Sequence, residues 1–87
     1  MSGLRVLPAE DDVLLREGLA RLLERSGYDA VGQAADGTGL LALARETTPE
    51  LVVADIRMPP THTTEGLEAA RVIRQELPAT AIRVLSA

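Results

Sequence analysis

Residues 51–54, Leu51-Val52-Val53-Ala54, are an unbroken apolar run that ends on a carboxylate, Asp55. A strand without polar alternation is buried on both faces, and such strands belong to parallel sheets covered by helices on each side. The rest of the chain must therefore supply helices of matching amphipathic character and further strands. Residues 4–9 read as another short buried strand, followed at once by acids and a helical pattern. Leu15, Leu19, Leu22 and Leu23 then fall at i, i+4, i+7 and i+8, one face of a first helix that Gly27 ends as C′.

Residues 28–34 read as a second strand and Asp36-Gly37 as a turn. A short helix over 40–46 stops before Pro49, its start weakened by Gly37 and Gly39. After Asp55, residues 56–63 form a loop, Thr64 caps a helix with Leu67, Ala70, Ile73 and Leu77 on one face, and Pro78 closes it. Residues 81–85 make a fourth strand. Strands alternating with helices over short loops are parallel β-α-β units with right-handed crossovers. No internal repeat, linker or low-complexity segment interrupts them, so residues 1–87 read as one domain.

Composition narrows the function classes. The chain has 87 residues, 46% of them hydrophobic and 25% charged, which suits a small packed core rather than disorder. There is no cysteine, which excludes disulfides, zinc-thiolate sites and thiol nucleophiles and fits a reducing cytoplasm. The start carries no apolar run of signal-peptide length, and no later stretch reaches membrane-spanning length, so the reading is soluble and cytoplasmic. Net charge is −4 and Tyr28 is the only aromatic residue, so the segment lacks the basic footprint and stacking surface of a nucleic-acid binder. All nine basic residues are arginines.

Polar residues gather where the strands end. In an open parallel sheet, ligands bind outside the carboxyl ends, where strand order reverses. The first strand ends on Glu10 and Asp11, the third on Asp55, and the fourth on Ser86. Three neighbouring carboxylates oppose one another's ionisation unless a proton or cation intervenes. Oxygen donors without nearby His or Cys suit Mg²⁺. A carboxylate beside such an ion can attack a phosphoryl group to give an acyl phosphate, and Asp55, alone at the end of the most buried strand, is the best placed. Asp12 reads as an acid favouring a helix N-terminus. His62, in a polar loop, is read as solvated, and Gly37-Thr38-Gly39 lacks the third glycine of a dinucleotide fingerprint.

Three stretches in this order and spacing resemble the receiver domain of two-component response regulators. They are Ala9-Glu10-Asp11-Asp12 with Leu15-Arg16-Glu17-Gly18-Leu19, residues 51–59 with Asp55 and Met58-Pro59, and Val84-Leu85-Ser86-Ala87; Gly66 also fits. The flavour is that of the LuxR/NarL-type branch, whose members carry a helix-turn-helix output domain. The resemblance implies a three-layer α/β, flavodoxin-like parallel sheet with strand order 2-1-3-4, lacking the last α-β-α portion. It implies that Asp55 accepts a phosphoryl group from a sensor histidine kinase. Asp11, Asp55 and the Arg57 carbonyl would bind Mg²⁺, Glu10 would reach the ion through water, and Ser86 would hydrogen-bond the phosphate.

The module is then a phosphoacceptor rather than an enzyme, and DNA is reached only through an output domain not in this chain. The chain departs from the pattern in having no lysine, in Pro8 within the first strand, and in Thr63-Thr64 where an acid is more usual. Pro8 removes a ladder N–H and predicts a local bulge near the acidic pair. An aspartyl-phosphate hydrolase would need an acid two residues after Asp55, where Arg57 stands. The alternative is a switch-incompetent interaction or dimerisation fragment with the receiver fold. In either case an uncovered fourth strand, with Ile82, Val84 and Leu85, predicts self-association through its edge.

Overall fold

Residues 51–55 form the strand the apolar run demands, and everything else is arranged around it. The computed structural model describes residues 3–55 and 60–85, with the backbone alone at Asp55 and residues 60–67. Four strands, β1 (Arg5–Ala9), β2 (Asp29–Ala30), β3 (Leu51–Asp55) and β4 (Ala81–Leu85), alternate with α1 (Val13–Arg25), α2 (Gly37–Thr47) and α3 (Pro60–Glu76). They make one parallel sheet in the order β2-β1-β3-β4, the order the resemblance implies.

Side-chain alternation divides the sheet into two faces. Leu7, Ala9, Val52 and Ala54 point to one, where they join Leu40, Ala44, Ala69 and Ile73 of α2 and α3 in a continuous core. Val6, Pro8 and Val53 alternate with them and are buried on the other face, where α1 packs on β1 and β2. The bidentate pair from Arg45 Nε and Nη2 to the two oxygens of Glu76, both at 2.7 Å, joins α2 to α3 on the surface.

The local chemistry differs from the sequence expectation at four places. First, α1 turns Arg16, Leu19, Ala20 and Leu23 inward, while Leu15 is 51% and Leu22 62% exposed. The leucines nearly encircle this helix, so small Ala20, which lets the backbone approach the sheet, decides the facing. Gly27, with φ of +97°, does end it, and the Tyr28 amide returns to the Leu23 carbonyl at 2.9 Å.

Second, α2 begins at Gly37 rather than Leu40, because the Asp36 carboxylate accepts the Gly39 amide at 2.7 Å and caps it. A Cβ on Gly39 would stand 3.1 Å from that same oxygen, so the glycine leaves the cap its room. Third, α3 runs from Pro60, which is suited to a first helical position, so the loop expected over 56–63 is shorter and Thr64 lies within the helix instead of capping it.

Fourth, Pro8 sits in a regular stretch of β1, paired with Val53. On the β2 side, the bridge Val6↔Ala30 is followed by Ala9↔Ala34, so three steps on β1 oppose four on β2. The bulge is therefore in the partner strand, which ends at Ala30 instead of continuing to Ala34. The Val31 amide donates to the Val6 carbonyl at 3.0 Å, and the next link of a regular ladder would run from an N–H at position 8. Proline has none. Its missing donor faces the short edge strand, and the ladder to β3 is intact.

Candidate functional site

The strand order places a reversal between β1 and β3. From β1 the chain moves outward to β2, then crosses back over β1 to β3. Two neighbouring strands whose following helices leave toward opposite faces open a crevice at their carboxyl ends. The register Ala9↔Ala54 makes Glu10 and Asp55 the next residues on adjacent strands. Hydrogen-bonded strands lie about 4.8 Å apart. The backbone thus carries the first-strand acids and Asp55 to one edge of the sheet, as the sequence expectation requires.

The loop that bears Glu10 and Asp11 is built from several short-range bonds. The Ala34 amide donates to the Pro8 carbonyl and the Glu10 amide to the Ala34 carbonyl, both at 2.9 Å, so pairing resumes beyond the bulge and fixes Glu10. Glu10 is only 6% exposed, and its Oε2 accepts the Asp12 amide at 2.9 Å. Asp11, next along, is exposed. Asp12 is the N-cap of α1, its Oδ1 accepting the Leu15 amide at 3.1 Å, in keeping with its reading as a helix-terminal acid. One turn into α1, the half-buried Arg16 donates from Nη1 to the Glu10 carbonyl at 3.1 Å.

Among the described residues no three acidic, histidine or cysteine side chains form a metal cluster. The Asp55 side chain, the Arg57 carbonyl and Ser86 lie outside the described residues, as do Met58 and Pro59. What is described fits a hard cation in its chemistry. The donors are oxygens, one carboxylate is buried and one is exposed beside it, and both precede a helix whose cap is already filled by a third acid.

Two contributors to this edge were given no part in the site by the sequence. Ala34 is one, and an alanine after Gly32-Gln33 gives no signal of a bridge to β1. Arg16 is the other. A charged residue at i−3 from Leu19 and i−7 from Leu23, on the inward stripe, was the available clue.

Comparison with known proteins bears out the family and the fold. The family model described as response regulator receiver domain matches residues 6–87. The transcriptional regulatory protein PdtaR of Mycobacterium tuberculosis is 44% identical over 69 residues, covering 79% of this chain and 32% of that protein. YxjL, a transcriptional regulatory protein of Bacillus subtilis, is 36% identical over 84 residues, covering 95% and 37%. Among solved structures, a LuxR-family two-component response regulator from Aurantimonas superposes with a TM-score of 0.83 at 41% identity, over 98% of this chain and 59% of that one. The signal receiver domain of NarL from Mycobacterium tuberculosis superposes with a TM-score of 0.83 at 32% identity, over 100% and 68%. The chain spans about a third of the length of the curated relatives. No helix among the described residues is long and apolar enough to cross a membrane.

Proposed function

Because this chain belongs to the response regulator receiver family, we propose that it is a phospho-accepting module in which Asp55 takes the phosphoryl group. The observation that carries the proposal is the register that makes Glu10 and Asp55 the next residues on neighbouring strands at the reversal point. A carboxylate oxygen of Asp55 attacks phosphorus on the phosphohistidine of a sensor kinase. The O–P bond forms, the P–N bond breaks, and the histidine leaves with the electron pair, giving an acyl phosphate.

A Mg²⁺ ion held by Asp11, Asp55 and the Arg57 carbonyl, with Glu10 reaching it through water, would neutralise charge on the transferring oxygens. Glu10 braces the loop through the Asp12 amide, and Asp12 starts α1, so the acid pair is presented from a bonded frame. Ser86 hydrogen-bonds the new phosphate. As part of a larger cytoplasmic regulator, the module would act on DNA only through an output domain outside this chain. Self-association runs through β4, which pairs only with β3 among the described residues and leaves Val84 and Leu85 about 40% exposed.

Incubation with a small-molecule phosphodonor and Mg²⁺, followed by intact mass, tests the assignment. The expected result is a gain of one phosphoryl group in the wild type and none in Asp55→Asn. A wild type that gains nothing at saturating Mg²⁺, or an Asp55→Asn chain that gains as much, overturns it.

A further inference from the structure

Arg16 donates to the carbonyl of Glu10, and that carbonyl belongs to the peptide joining Glu10 to Asp11. A cation is therefore fixed at the joint between the two acids. The guanidinium stays charged across the whole range in which a protein is folded. Its place is set by packing, since Arg16 shares the inward stripe of α1 with Leu19, Ala20 and Leu23. Satisfying one peptide carbonyl does not by itself require a charge. Water or a neutral amide would serve, and half-burying a guanidinium costs solvation.

We infer that Arg16 is a positioning residue that sets the cation affinity of the acid pair, holding the loop while its charge opposes the incoming dication. This rests on the proposed role of Glu10 and Asp11 at a Mg²⁺ site. Without metal, Arg16 offsets the repulsion between neighbouring carboxylates and keeps the loop in its binding shape. When the metal enters, the same charge repels it. The two effects have opposite signs, which makes them separable. A tether alone would strengthen Mg²⁺ binding, so its loss would weaken it. A fixed charge weakens binding, so its loss strengthens it, and salt screens only the second effect.

Mg²⁺ titration followed by the backbone amide shifts of Asp12 and Val13 tests this with the wild type, Arg16→Gln and Arg16→Lys, at low and at physiological ionic strength. Arg21→Gln, a change at an exposed position of the same helix, is the control. Arg16→Gln is expected to bind Mg²⁺ roughly two- to tenfold more tightly at low salt, with the gap narrowing as salt shortens the screening length to about 8 Å. Arg16→Lys, which keeps the charge, stays within about twofold of the wild type on the same Coulomb argument, as does Arg21→Gln.

Equal or weaker binding in Arg16→Gln, or a gap indifferent to salt, overturns the inference. If Arg16→Gln does not fold, a chemically assembled chain with citrulline at position 16 keeps a terminal NH2 donor and the shape of the side chain while it removes the charge. It must show the same tightening, and failure to do so overturns the inference equally. A wild type with no saturable shift overturns the Mg²⁺ assignment and this inference together, whereas saturable wild-type binding without tightening overturns the inference alone.

Discussion

Carboxylates serve three purposes in this small chain, and the residues around each decide which. Asp12 and Asp36 accept amides at the starts of α1 and α2, and caps of this kind are each worth about 1 kcal/mol. Glu10 is buried and braces a loop. Glu76 is on the surface, and hydrogen bonds from Arg45 hold its carboxyl below the usual carboxylate range. Glu68, bonded by Arg71, is lowered for the same reason. A lowered folded-state value means that the Arg45–Glu76 pair stabilises the fold above the ordinary carboxylate range and ceases to do so as pH falls through the folded value. Glu76→Gln is therefore expected to be less stable than the wild type near neutrality, by a small, salt-sensitive margin because the pair is exposed. Urea titrations repeated at about pH 2.5, below the carboxylate range, should find the margin gone. Asp12 was legible from its place before an apolar helix. Asp36 was not, because Asp-Gly signals a turn as readily as a cap. The burial of Glu10 beside an exposed Asp11 could not be read from two adjacent acids.

Elements with one strong period were read correctly, and those with several competing signals were not. The position of β3 follows from four apolar residues in a row, and β4 spans the expected residues. In α1 the leucines at 14, 15, 19, 22 and 23 allow more than one facing, and the stripe that turned inward includes an arginine. Gly18, in the middle of this helix, has no atom within 4 Å of where a Cβ would stand. Its lack of a side chain costs backbone entropy without relieving any contact. Gly18→Ala should therefore raise stability by roughly 0.5–1 kcal/mol, seen as a higher urea midpoint with an unchanged slope. The second strand was read as seven residues and is two, since the proline opposite it denies the ladder a donor and the partner chain detours. A bulge was foreseeable from Pro8, but which strand would carry the extra residue depends on which neighbour the missing N–H faces, and that parity is fixed only by register.

On the scale of the whole molecule, the layered fold and the strand order follow from alternating elements together with the family resemblance. The meeting of the acid-bearing strand ends then follows from the strand order. Arg16's contribution was not accessible in the same way, because it depends on how α1 rolls on the sheet. The self-association proposed for β4, with Val84 and Leu85 exposed, predicts a concentration-dependent rise of mass in light scattering. Leu85→Lys should reduce that rise, since a charge on an edge strand opposes pairing, and a wild type that stays monomeric at high concentration would contradict the edge as a self-association surface. The detour opposite Pro8 also bears on how motion spreads. Beyond Val6 the outer margin of the sheet is basted to β1 only at Ala34, whereas the seam with β3 is continuous. The end of β1 is therefore seamed to β3 up to Ala9 and tied to the outer margin through the Ala34 bonds that hold Glu10, so fraying of β2 at Asp29 and Ala30 leaves the acids in place as long as those two bonds persist.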